Sequence, residues 1–131
     1  MNSTPHNPAA AGPGPDARFE AALRQGRFEI QKCADCGGHV FYPRYLCPHC
    51  GSVRLVAERA SGKGVVYSTS VVRRRPDRGG DFNVCLVDLA EGPRMMSRVV
   101  GMPPDKVAIG MAVRAKVSEI DGVPAVVFEQ G

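Results

Sequence analysis

The chain has 131 residues, with 17 Lys and Arg against 13 Asp and Glu and a formal net charge of +4. Such a length suits one domain or two very small ones, and the 44% of apolar residues, with 6% aromatics and no Trp, asks for a core of Val, Leu, Ile and Met. No run reaches the roughly 18 apolar residues of a membrane span, and residues 1–15 lack the charged-then-apolar order of a secretory signal, so a soluble cytoplasmic protein is expected. The five cysteines fit a reducing compartment, with four acting together and one left over.

Residues 1–15 (MNSTPHNPAAAGPGP) hold four prolines and two glycines and no large apolar side chain beyond Met1, the composition of a disordered tail. Asp16 can cap a helix that carries Phe19, Ala22 and Leu23 at i, i+3, i+4 spacing, and Gly26 can close it. A helix this short is marginal in water, so its narrow apolar face must dock on the chain's own core or on a partner. Residues 16–60 thus contain this helix and a cysteine-bounded block.

From Ser61 to Gly131 the texture becomes short Val-rich segments between turn residues. Lys63–Arg73, Asp81–Leu89, Arg94–Val100, Met111–Ile120 and Val123–Glu129 each read as a strand. Asp121-Gly122 is a two-residue hairpin signal, and Pro103-Pro104 open a short turn or helical piece before the fourth strand. Five strands in about 70 residues, with a connector before the last hairpin, predict a mainly β protein whose second part is an OB-type barrel, with an SH3-like barrel as the competing architecture.

Cys33-Ala-Asp-Cys36-Gly37 and Cys47-Pro-His-Cys50-Gly51 repeat C-x-x-C-G across ten intervening residues. Each C-x-x-C turn sets two sulfurs on one side of a tetrahedral Zn²⁺, and the glycine that follows relieves the backbone where the turn needs positive φ. Four thiolates leave no open coordination position, so one structural zinc held by Cys33, Cys36, Cys47 and Cys50 is predicted. The block has only Val40, Phe41, Tyr42, Tyr45 and Leu46 to bury, which is no core; zinc binding of about 10 to 16 kcal/mol would replace the missing hydrophobic contribution. His39 and His49 are read as neighbours of the ligands, and Cys85 as a buried strand residue.

A ribbon joined to an OB barrel raises the alternative of a single-stranded nucleic-acid-binding module. Each half of the chain carries +2, and four thiolates with one Zn²⁺ remove two charges from the total, so the basic surplus is small. The barrel offers only Tyr67, Phe82 and Phe128 for base stacking. Arg73, Arg74, Arg75 and Arg78 form the one basic cluster, in the loop after the first barrel strand; they suit phosphates, an acidic partner surface, or plain solvation.

The stretches FEAALRQG (19–26), CADCGGHVFYPRYLCPHCGS (33–52), SGKGVVYSTSVV (61–72), VCLVDLAEGPRMMSRVVG (84–101) and KVAIGMAVRAKV (106–117) resemble a known family. Its members are small acyl-CoA-associated proteins that join a rubredoxin-like zinc ribbon to an OB fold. Asp81-Phe82 stands where that family often has a Pro-aromatic pair. The resemblance implies a non-catalytic accessory subunit of a thiolase-fold enzyme (a thiolase, a hydroxymethylglutaryl-CoA synthase or a steroid side-chain aldolase), in a heteromeric complex of acyl-CoA and lipid metabolism. It further implies that the barrel assists the enzyme or its CoA thioester and that ribbon and helix help to dock the partner. Arg73, Arg74, Arg75 and Arg78 are then expected to meet CoA phosphates or that partner. No catalytic residue is expected, since no Ser/His/Asp set, paired-carboxylate cleft or phosphate-binding Gly loop is present.

Overall fold

The computed structural model describes residues 14–131, so residues 1–13 of the expected tail lie outside the described residues. The chain divides into two compact units, Met1–Arg59 and Ala60–Gly131. Among the described residues no helix is long and apolar enough to cross a membrane.

In the first unit, helix α1 (Pro15–Arg24) starts earlier than expected, with Gly14 rather than Asp16 at its cap and no side-chain cap bond. Pro15 explains the shift, because its fixed φ suits the first helical position and its missing N–H would have had no partner there. Asp16 falls instead in the first turn, where its charge faces the positive end of the helix dipole. The close is as expected. Gly26 takes φ 79°, its N–H donates to the Leu23 carbonyl at 2.9 Å and the Arg27 N–H to the Ala22 carbonyl at 2.8 Å, the crossed bonds of a Schellman motif. Ala22 and Leu23 are buried, and Phe19 meets Phe28 and Phe41 edge-on at ring separations of 6.5 and 5.3 Å. The helix therefore docks on its own unit.

Three antiparallel strands complete this unit: β1 (Glu29–Cys33), β2 (His39–Val40) and β3 (Leu55–Arg59), in the order β2-β1-β3. The strands that hold the cysteine block lie largely outside it. β1 and β3 pair in continuous register from Glu29 opposite Arg59 to Cys33 opposite Leu55.

The second unit contains β4 (Lys63–Val72), β5 (Phe82–Leu89), β6 (Arg94–Ser97), β7 (Ala112–Ile120) and β8 (Val123–Gln130). Their order is β6-β5-β4-β7-β8. β6 stops at Ser97 rather than at Val100, because the chain then leaves β5 for β8: Val99 bridges Phe128 in parallel, the Phe128 N–H donates to the Arg98 carbonyl at 2.9 Å and the Val100 N–H to the Phe128 carbonyl at 2.7 Å. This parallel closure curls the sheet into an OB-type half-barrel and sets aside the SH3-like alternative.

Two local devices shape the curl. Tyr67 is an extra residue in β4, since Val66 pairs with Val87 and Ser68 with Leu86, and such a bulge bends and twists its strand. At Gly64 a Cβ would lie 2.5 Å from Val87 Cγ1 and 3.1 Å from the Asp88 carbonyl oxygen, so only glycine lets β4 and β5 approach. Asp121 and Gly122 both take positive φ, 53° and 80°, the pair of angles a tight hairpin between β7 and β8 requires. Phe128, Val66, Val87 and Cys85 centre the core.

Candidate metal centre

Cys33 ends β1 and Cys36 follows in the first knuckle; Cys47 and Cys50 bound the second. The two knuckles are built alike. Gly37 and Gly51 take φ 77° and 79°, and their N–H groups donate to the carbonyls of Cys33 and Cys47 at 2.9 and 2.8 Å. Cys33 and Cys47 in turn donate to the carbonyls of Gly38 and Ser52, at 2.9 and 2.8 Å. The glycine that closes each C-x-x-C-G is thus needed for its left-handed backbone.

These turns bring the four sulfurs together. All four Sγ atoms lie within 4.8 Å of one another, with Cys33 to Cys50 at 3.6 Å and Cys36 to Cys47 at 3.7 Å. A tetrahedron with Zn–S of about 2.3 Å has edges of about 3.8 Å, so the donor set fits one zinc ion. Backbone N–H groups point at the sulfurs: Cys36 to Cys33 Sγ at 3.5 Å, Gly38 to Cys36 Sγ at 3.5 Å and His49 to Cys47 Sγ at 3.4 Å. The Cys36 N–H draws the Cys33 thiol down to about 6 against the opposing effect of burial, while burial and the neighbouring sulfurs leave Cys36 and Cys50 above the ordinary thiol value.

The surroundings brace the knuckles against each other. Asp35, in the first, accepts from Arg54 Nη1 at 2.6 Å and from the Ser52 hydroxyl, both beyond the second, and the Ala34 N–H donates to the Arg54 carbonyl at 2.8 Å. His39 pairs with Glu58 at 2.6 Å, while the His49 ring lies against Gly38 and the His39 carbonyl; neither ring belongs to the sulfur cluster. Among the described residues, Val40 is the buried side chain that clusters with Cys33 and Cys47, with Leu55 packed beside it. With four thiolates closing the tetrahedron, the centre's chemistry is structural.

The remaining expected site residues are on the barrel. Cys85 is 2% exposed, and burial pushes its thiol up to about 11, an unreactive state. Arg73, Arg74, Arg75 and Arg78 lie exposed along the β4–β5 connection, and the structure separates them by partner. Arg73 pairs with Asp81 at 2.7 Å and Arg75 with Asp77 at 3.1 Å. Arg74 lies over the Phe82 ring, 5.0 Å from its centroid. Among the described residues no carboxylate pairs with Arg78. Asp81 also accepts from the Arg74 N–H at 2.9 Å, and this bond, with the Arg73 guanidinium, holds its carboxyl below the usual range.

Three arrangements were not foreseen. Arg94 stacks on Tyr67 with its guanidinium 3.3 Å from the ring centroid while bonding Asp88 at 2.6 Å, and Arg98 joins Arg74 over Phe82, 4.6 Å from the ring. Asn83, 1% exposed, donates to Thr69 Oγ1 at 2.8 Å and to the Ser70 carbonyl at 3.1 Å, and accepts from the Val99 N–H at 3.1 Å. Its parity carried the signal: it shares the inner face of β5 with Cys85, Val87 and Leu89, where a polar group must be hydrogen-bonded.

A tetrathiolate ribbon followed by an OB half-barrel defines the class of protein, and two family models match along the chain: the ChsH2 rubredoxin-like zinc ribbon domain at residues 21–56 and the ChsH2 C-terminal OB-fold domain at residues 57–118. The chain belongs to this DUF35 family of zinc-ribbon and OB-fold proteins. It is 33% identical over 97 residues to a DUF35 domain-containing scaffold protein of Pyrococcus furiosus, covering 69% of this chain and 70% of that one. It is 43% identical over 97 residues to a probable enoyl-CoA hydratase alpha subunit of Thermomonospora curvata, covering 72% of this chain but spanning only 30% of that subunit's length. Among solved structures, a chain of an Ltp2-ChsH2(DUF35) aldolase superposes with a TM-score of 0.78 at 36% identity, over 92% of this chain and 97% of that one.

Proposed function

We propose that this chain is a non-catalytic accessory subunit that binds and supports a thiolase-fold enzyme acting on acyl-CoA thioesters. The observation that carries this reading is the similarity along nearly the whole of a chain found in an aldolase named for two components, Ltp2 and ChsH2; the relatives called scaffold proteins support it. The geometry agrees with a supporting role. The metal centre is closed to substrate and the fifth thiol is buried, while the ribbon exposes Tyr42, Tyr45, Leu46 and Val53, and a groove of about 330 Å³ runs between α1 and the ribbon. Apolar groups held at a rigid surface suit a protein partner. Arg78, with the outward nitrogens of Arg73, Arg74 and Arg75, is the part of the chain offered to CoA phosphates or to acidic groups of that partner.

The rings of the barrel speak against base stacking. Phe128 is fully buried, Phe82 lies under two guanidinium groups and Tyr67 under a third. Purification of the tagged full chain from its native cells, with mass spectrometry and absorbance at 260 nm, tests the proposal. A thiolase-fold enzyme at fixed stoichiometry is expected, with acyl-CoA turnover by the pair and none by the isolated chain. A solitary chain, bound nucleic acid, or turnover by the chain alone would overturn it.

A further inference from the structure

An antiparallel sheet with one wet face alternates apolar-in and polar-out, and β5 does not. Its inner positions are Asn83, Cys85, Val87 and Leu89, all buried. Its outward positions are Phe82, Val84 and Leu86 before Asp88, so three of four outward side chains are apolar. The neighbouring strands extend the pattern. Met96 lies opposite Leu86 on β6 and Val65 opposite Asp88 on β4, with Tyr67 raised beside them by the bulge; Met96 is 59% and Tyr67 49% exposed. Both faces of β5 read as interior; the inner one is buried within the barrel, and the outward one is half-buried and continues into the exposed Val65, Tyr67 and Met96.

The edges of this face are cationic. Arg94 is neutralised by Asp88, but Arg74 and Arg98 share the Phe82 ring and, among the described residues, neither pairs with a carboxylate. A guanidinium held flat on a ring keeps its N–H donors at its edge, ready for a carboxylate. A second copy of this chain is a poor occupant, since a two-fold contact through this face would bring Arg74 and Arg98 to the opposite end of the other copy's β5, where the carboxylate, Asp88, is already paired with Arg94.

We infer that the outward face of β4, β5 and β6 is a docking surface for the enzyme partner, which meets Leu86, Met96, Val65 and Tyr67 with an apolar patch and Arg74 and Arg98 with carboxylates. This rests on the accessory-subunit reading and goes beyond it by choosing the surface and the chemistry that covers it. Charged groups at such an edge set the rate and the salt dependence of association, and the apolar centre sets its lifetime.

The test uses the full chain and the thiolase-fold enzyme it captures, titrated as a purified pair. M96E and the double variant R74E/R98E are each expected to weaken binding at least tenfold, with R74E/R98E also flattening the salt dependence, while zinc content and melting stay those of the wild type. V123E, at an exposed position of the last hairpin, is expected to bind unchanged. Capture of the enzyme by the wild type with undiminished binding by both face variants would overturn the docking surface and leave the accessory role standing. Absence of the enzyme from the wild-type preparation would overturn both. Release of the enzyme by millimolar inorganic phosphate or coenzyme A, to the extent seen for R74E/R98E, would make the face a phosphate site and overturn the protein contact.

Discussion

Asn83 shows how much one side chain can hold. Its amide fastens β5 to Thr69 and Ser70 of β4, and its carbonyl oxygen takes the N–H of Val99, at the point where the chain crosses to β8. Asn83→Ala leaves the buried Val99 N–H without this partner, which costs about 1–3 kcal/mol. The urea midpoint of the barrel is expected to fall with an unchanged m-value, and a midpoint matching that of the wild type would remove this role. Gly64 acts by absence. Gly64→Ala sets a methyl 2.5 Å from Val87 Cγ1 and 3.1 Å from a carbonyl of the same partner strand, and the strand cannot retreat without opening its ladder. Overpacking of this kind costs about 1–3 kcal/mol, again read from the denaturant midpoint; a variant as stable as the wild type would show that the strands separate freely.

At the scale of elements, legibility followed composition and turn signals. The barrel strands were readable as Val-rich segments between turn residues, and Asp121-Gly122 marks a hairpin by the angles it permits; burial alternates along the whole of β5 alone among these strands. The metal ligands were readable for a different reason, since C-x-x-C-G states its own local geometry. β1 and β3 were not, because five residues of mixed character (EIQKC and LVAER) carry too little pattern, and they exist as strands through pairing, β3 with β1 and β1 with both β2 and β3. The arginine run was readable as charge but not as contacts, which depend on where Asp77, Asp81 and Phe82 fall after the loop folds.

That loop carries its own pH dependence. Asp81 ties the end of β4 to the start of β5 through the Arg74 N–H and the Arg73 guanidinium, and its carboxyl is depressed in the folded chain. A depressed carboxyl adds stability above its unfolded value of about 3.9, and that stability is lost as pH falls through the lower folded value. Asp81→Asn is therefore expected to be less stable than the wild type at neutral pH and to converge with it in acid. Denaturant midpoints at several pH values check this, and a gap that stays constant down to the most acid point would rule the ion pair out as its source.

At the scale of the whole chain, the two units are stabilised by different physics. Residues 60–131 close a sheet over Phe128, Val66, Val87, Met95, Val113 and Val127, an interior that needs no metal. Among the described residues the sulfur cluster of the first unit has only Val40 and Leu55 packed with it, and the ring cluster of Phe19, Phe28 and Phe41 fastens α1 rather than the knuckles. The four sulfurs lie within 4.8 Å of one another, and once the ion is gone the binding of about 10 to 16 kcal/mol that holds them together disappears with it. Strong chelator is therefore expected to collapse the amide dispersion of residues 29–59 in a heteronuclear NMR spectrum while the cross-peaks of β4 to β8 keep their positions, and Cys36→Ser to reproduce that state at equal chelator-free zinc. Elemental analysis should give one zinc per chain before treatment and none after. Loss of the barrel signals together with the ribbon's would mean that the metal supports the whole chain; retention of every cross-peak in a zinc-free sample would show that the ribbon stands on its side chains alone.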